Sequence, residues 1–330
     1  MAIAMTPPGA APDFLARAGW AGAVITPLAG DASFRRYFRV VAGDRRAVLM
    51  DAPPPHEDPR PFLHVAAYLS RIGLRPPAVF VSDLAQGLLL IEDFGDNRMR
   101  EAVDADQTCE HEIYRGVVDV LIALHRHPAP ELPRHGLENW LDEVALFTEW
   151  YCPHIDADVD IAGFREAWET VLAPVDADAI GWVTELRDFH AENIMLTDGA
   201  GVARFGLLDF QDARIGHPAY DLASMLQDAR RDVSPDVEAA MLAYYKIATR
   251  RDAAFDDAYW ALAAQRNTRI LGLFVRLWKR DHKPHYRGFQ TRMWGLLERD
   301  LAHPSLLPVR SWFDANIPAT ARGAIWAQYR

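Results

Sequence analysis

Cysteine is scarce in this sequence, basic charge is in deficit, and long apolar runs are missing. Cys109 and Cys152 are its two cysteines, too few for a disulfide framework or a cysteine-rich metal site. The expectation is a reduced, cytoplasmic setting in which both thiols act as small buried apolar groups. Lys and Arg number 35 against 46 Asp and Glu, a formal charge of −11. Nucleic acid demands a basic face, so it is not the expected partner. A nucleotide stays open, because Mg²⁺ brings its own positive charge to a site. No window reaches the length of a membrane-spanning helix, which argues against a membrane partner. Residues 1–12 are rich in Ala and Pro and lack the basic start and apolar run of a secretory signal. Repeats and low-complexity tracts are absent as well. The 330 residues suffice for a large core and are expected to divide into two lobes. Oligomeric state is left open.

What the sequence does have is concentrated in Leu186-Arg187-Asp188-Phe189-His190-Ala191-Glu192-Asn193, followed by Leu208-Asp209-Phe210. This is a carboxylate, an amide five residues on, and a second carboxylate after a turn. Phosphoryl transfer needs one Asp to take the proton of the attacking hydroxyl, and an Asn and another Asp to hold the metal. Asp188 fits the first role and Asn193 with Asp209 the second. Their hard oxygens suit Mg²⁺ rather than zinc. Asp and Asn at such spacing are commonly no more than a surface turn. Here the flanks argue otherwise. Ile194-Met195-Leu196 reads as a strand, 197–201 as a turn, and 202–208 as a returning strand, so the hairpin delivers both metal-ligand candidates to one end.

The preceding third of the chain reads as β-rich. Short strands are expected at 23–28, 34–40, 45–50, 79–82 and 87–91, with helices at 13–20 and 62–72 around a stiff loop with five prolines between 51 and 61. The loop at 30–33 could lay its N–H groups and the Ser33 hydroxyl on phosphates, although it has one glycine where kinase loops have three. Lysine is absent where kinases place it: Ala47-Val48-Leu49 runs into Met50, and a thioether cannot neutralise phosphate. Arg35 or Arg36 could supply the charge. Neighbours on a strand face opposite ways, and Arg36, which shares a face with Phe38 and Val40, is the expected one. Glu92-Asp93-Phe94 is the expected hinge against an adenine edge, with Glu92 and Phe94 as its contacts. From 106 onward the pattern turns helical, with segments at 110–125, 137–151, 164–172, 234–249, 253–278 and 286–301. Glu143 and Glu149 read as solvated charges. Asp221 either caps a helix or braces the catalytic loop through backbone N–H groups.

Together, the glycine-poor loop, E-D-F-G-D, R-D-F-H-A-E-N, L-D-F-Q-D and G-H-P-A-Y-D-L-A resemble the aminoglycoside phosphotransferase and choline kinase superfamily. Within it, D-A-S-F-R-R-Y-F-R, V-L-M-D-A-P-P, L-F-T-E-W-Y and Q-R-N-T-R-I-L-G-L-F-V-R-L are similar to the anomeric kinases of N-acetylmuramate and N-acetylglucosamine. That resemblance implies an α+β, bilobal protein-kinase-like fold, with a small β-rich lobe (1–94) and a larger, mostly helical lobe (95–330). It implies ATP and Mg²⁺ as cofactors, a small sugar as partner, and phosphorylation at C1 in peptidoglycan recycling. Asp188 becomes the base, Asn193 and Asp209 the metal ligands, Glu92 to Phe94 the adenine hinge and Asp221 the brace. A lactyl carboxylate would want an arginine, and Arg269 and Arg276, one helical face apart, are the candidates. Kinases of another small hydroxyl substrate (an aminoglycoside, choline, homoserine) and a nucleotide-binding regulatory pseudokinase are the alternatives. Met50, and Leu186 where His is common, favour the last; the intact acidic set opposes it.

Overall fold

A computed structural model of the chain describes residues 5–28, 34–177 and 181–329. Ser33 lies outside the described residues. The chain opens with helix α1 (Ala11–Arg17) and then builds an antiparallel sheet from β1 (Val24–Pro27), β2 (Arg36–Ala42), β3 (Arg45–Asp51), β4 (Val79–Asp83) and β5 (Leu88–Ile91), in the order β1-β2-β3-β5-β4. Alternation sorts the side chains. Phe38, Val40, Ala47, Leu49, Leu88 and Leu90 share a face that packs on Phe14 and Leu15 of α1 and on Trp20. The other face carries Tyr37, Arg39, Val48 and Met50, with Tyr37 opposite Met50 and Arg36 opposite Asp51 in the register. Helix α2 (Arg60–Arg71) begins two residues before the expected start, because Pro61 in its first turn has a φ already suited to a helix.

Next come α3 (Met99–Ala105), α4 (Glu110–His125) and α5 (Leu137–Leu146), which runs into a π-helical turn at Phe147–Tyr151 and a short α6 (Cys152–His154). The expected single helix over 137–151 therefore changes its winding midway. Helix α7 (Ile161–Asp176) is capped by Asp160, whose carboxylate accepts the Gly163 N–H at 2.9 Å. Strand β6 (Val183–Glu185) leads to the hairpin of β7 (Ile194–Leu196) and β8 (Phe205–Leu207), with a 3₁₀ turn at Gly201–Arg204 where strand was expected. Strand β9 (Arg214–Gly216), not evident in the sequence, pairs with β6. Then come α8 (Ala219–Leu226), α9 (Pro235–Thr249), α10 (Ala254–Lys279), α11 (Gln290–Asp300) and α12 (Leu307–Asn316), followed by 3₁₀ turns at Ala319–Ala321 and Gly323–Tyr329. Helix α9 has the expected start, with Ser234 Oγ accepting the Val237 N–H at 3.2 Å and Pro235 at the first position. The 26-residue α10 is buried along most of its length, from Phe255 to Leu277.

Compactness divides the chain into two units: Met1–Ala102 with Glu192–Asp212, and Val103–Ala191 with Ala213–Arg330. The expected boundary at 94 thus lies eight residues early, and the β7–β8 hairpin groups with the first unit. Backbone pairing explains the grouping, since Arg75 bridges to Gly206 and Arg98 to Met195.

Candidate active site

In the first unit the hairpin brings Asn193 and Asp209 together. Leu208 N–H donates to the Asn193 carbonyl at 2.9 Å, and Asn193 Nδ2 lies 3.4 Å from Asp209 Oδ2. Asp209 adopts φ 56°, a left-handed conformation that Asp tolerates better than bulkier residues. Gln211 Nε2 donates to Asp209 (2.8 Å) and to Asp212 (3.1 Å), while Phe210 stacks on Phe62 of α2 with ring centroids 4.9 Å apart. Turning the isosteric Asn193 amide over presents an oxygen where the nitrogen now lies. The pair then offers two hard oxygens, a set that fits Mg²⁺ carried in on phosphate. Among the described residues no group of three or more His, Cys, Asp and Glu is arranged to hold a metal by itself.

Glu92 and Phe94 belong to the same unit. The Glu92 carboxylate is engaged by Arg75 (2.5 and 2.7 Å) and by the Ala78 N–H (3.1 Å), and its own N–H donates to Ala78 O. Any adenine contact at Glu92 therefore falls to the carbonyl and not to the side chain. Phe94 lies under Arg75 and against Gly206, where a Cβ would come within 2.7 Å of its ring.

In the second unit the segment after β6 is pinned at both ends. Asp221, fully buried on α8, accepts the N–H groups of Leu186 (2.6 Å) and Arg187 (2.8 Å). It makes no cap bond to its own helix, whose N-cap position is Pro218. Burial pushes its carboxyl up to about 8, Glu185 adding to the effect while the two N–H donors oppose it. Asp228 accepts the Ala191 N–H at 3.1 Å. Arg187 has φ 68°, and between the two pins Asp188 is half-buried.

The Arg187 side chain enters a polar cavity of about 570 Å³ lined also by His135, Glu143, Arg214, Arg269 and Arg276. Glu143 is its hub. It pairs with Arg187 and with Arg269 (3.7 Å), accepts from Gln265 (3.2 Å), and lies 3.4 Å from His135 Nε2. Burial alone would raise its carboxyl, but Arg269, His135 and Arg187 hold it well below the usual range. The reading of Glu143 as a solvated charge is thus corrected: its helix face looks into a cavity and not into bulk water. Glu149 is exposed, as expected. Arg269 and Arg276 do converge on this cavity. Arg269 is answered by Glu143. Arg276 has no ion pair among the described residues, and burial beside Arg280 and Arg269 lowers its affinity for its proton.

A model described as the phosphotransferase enzyme family matches residues 24–256. The chain belongs to that family. Among curated relatives, an N-acetylmuramate/N-acetylglucosamine kinase of Caulobacter vibrioides is 37% identical, the match covering 94% of this chain and 96% of that one. A kinase of the same name from Pseudomonas aeruginosa is 33% identical over 94% of each. A solved choline/ethanolamine kinase family protein from Mesorhizobium loti superposes with TM-score 0.62 at 16% identity, covering 92% of this chain and 96% of that one. An ADP-bound aminoglycoside phosphotransferase superposes at 0.57 and 15%, covering 83% and 92%. The α+β, kinase-like fold class follows from these likenesses.

Arg36 sits differently in this phosphotransferase from the place expected of a phosphate ligand. It does share a face with buried Phe38 and Val40, but that face packs on α1. Its guanidinium is taken by Asp51 (2.5 and 2.8 Å) and by the Thr6 carbonyl (3.2 Å). The structure also brings in Asp228 and His135, which the sequence reading passed over, and Glu143, which it read as a solvated charge. Asp228 lies just beyond the end of α8, where helical spacing from Asp221 no longer applies. Glu143 had no local signal at all.

Proposed function

We propose that this phosphotransferase moves the γ-phosphoryl group of ATP to the anomeric C1 hydroxyl of N-acetylmuramate and N-acetylglucosamine, in the cytoplasm, as a step of peptidoglycan recycling. The observation that carries the proposal is the near-full-length likeness to two kinases named for those sugars. The C1 oxygen forms a bond to the γ-phosphorus, the bond from that phosphorus to the bridging oxygen breaks, and ADP leaves. Asp188 accepts the hydroxyl proton. A hemiacetal hydroxyl is more acidic than an ordinary alcohol, so one carboxylate is an adequate base. The pins at Asp221 and Asp228 set the loop before substrate arrives, which lowers the entropic cost of alignment. Mg²⁺, when held by Asn193 and Asp209, would neutralise charge on the phosphate oxygens. The main chain at Glu92 to Phe94 is the adenine contact in this reading. Arg276, aided by Arg269, meets the lactyl carboxylate.

A ³¹P NMR spectrum of the product from ATP and each sugar tests the reading. A C1 phosphate, with its coupling to the anomeric proton and its lability in acid, is the expected result. A C6 phosphate, or no sugar phosphate at all, overturns it.

A further inference from the structure

Met50 leaves the nucleotide phosphates without the lysine that kinases place on this strand, and Arg36 is committed elsewhere. The register shows what stands on the Met50 face. Tyr37 is opposite Met50 and Arg36 is opposite Asp51, so Arg35, one residue before the strand, returns to the side of Tyr37 and Met50. Its side chain is 12% exposed. Nη2 lies 3.7 Å from Asp212, which shares the Gln211 amide with Asp209, and Asp209 meets Asn193. A continuous polar chain thus runs within one unit from Arg35 to the candidate metal ligands. On the other side Glu57 lies 3.6 Å from Arg35 Nε and accepts the Phe34 N–H at 3.2 Å, so one carboxylate meets both neighbours.

We propose that Arg35 supplies the phosphate-binding charge that Met50 cannot, a cation for the β- and γ-phosphates reached from the residue before β2 and not from β3. The proposal rests on the ATP-dependent reading above. Asp212 meets Arg35 at 3.7 Å through a carboxylate that is 56% exposed, so water already screens that contact and exchanging it for phosphate gives up little. In return a planar guanidinium can meet phosphate oxygens in a two-pronged contact that a point charge cannot make. Relocation also explains how Met50 can be fully buried between Leu89 and Tyr37 without leaving the site uncharged.

Calorimetric titration of the full chain with ATP and with AMP, both with Mg²⁺, separates this proposal from the reading beneath it. Wild-type protein should prefer ATP. If it binds no ATP, the kinase reading itself fails before any variant is made. Given that preference, Arg35→Gln should lower ATP affinity about 10–100-fold while AMP affinity changes little, since AMP has no β- or γ-phosphate. Arg35→Lys should retain part of the preference. Adding Met50→Lys to Arg35→Gln should restore it by returning a cation to the usual strand. Thermal melts confirm that each variant is folded. An ATP-to-AMP preference unchanged in folded Arg35→Gln overturns the assignment, and so does a preference lost in Arg36→Gln instead.

Discussion

Asp188 lies between two backbone anchors. Backbone N–H groups on either side of it are accepted by Asp221 and Asp228, and these anchors remain when the side chain at 188 is changed. Asp188→Asn should leave nucleotide affinity near wild type and cut turnover roughly 10²–10⁴-fold, as measured by coupled ADP release. Near-native turnover would remove Asp188 from the role. Arg276 is the residue that should separate the two sugars. A charge-assisted contact to the lactyl carboxylate is worth about 1.5–3 kcal/mol, roughly tenfold or more in affinity. Arg276→Gln should therefore shift kcat/KM for N-acetylmuramate relative to N-acetylglucosamine by at least about tenfold. A ratio that stays put would return the lactyl contact to Arg214 or Arg269, both on the same cavity.

At the scale of elements, α10 meets the end of α5 backbone to backbone. A Cβ on Gly272 would lie 2.2 Å from the Leu146 carbonyl oxygen and 2.6 Å from the Phe147 nitrogen. That contact falls where α5 gives way to the π-helical turn, and Phe147 and Tyr151 within the turn stack in a cluster with Trp294, Phe313 and Trp326. Tyr151 OH accepts from both indole nitrogens, at 2.7 and 2.8 Å, and donates to Ala321 O. Backbone cannot move aside as a flexible side chain can. Gly272→Ala should thus destabilise the protein by about 1–3 kcal/mol, seen as a lower denaturant midpoint. An unchanged midpoint would mean the two helices are free to part. This element pair was half legible. The helical period of α10 is plain in the sequence, but nothing in Gly272 or in 146–151 announces a backbone contact across more than a hundred residues.

At the scale of the molecule, the buried charges of the second unit make stability depend on pH. Burial alone would lower the His135 pKa, but Glu185 at 2.8 Å and Glu143 at 3.4 Å outweigh it and raise it to about 9. A histidine whose folded pKa exceeds its unfolded value stabilises fully below about 6.5 and loses that contribution as pH rises through about 9. The difference corresponds to at most about 3 kcal/mol. Melting temperature should fall between pH 6.5 and 9.5, and fall less in His135→Gln; parallel curves for the two proteins would refute the linkage. The sequence by itself determined the fold class and singled out Asp188, Asn193 and Asp209 as candidates, because alternation, helical period and residue spacing are local properties carried in a few adjacent residues. It also determined the cap at Ser234. Only the tertiary structure decided that Arg35 and not Arg36 is on the Met50 face, that Glu143 is a hub and not a solvated charge, and that Arg276 rather than Arg269 is left unanswered. Each of these turns on which charges meet across long separations, and pairing in space is set by packing that no short stretch of chain encodes.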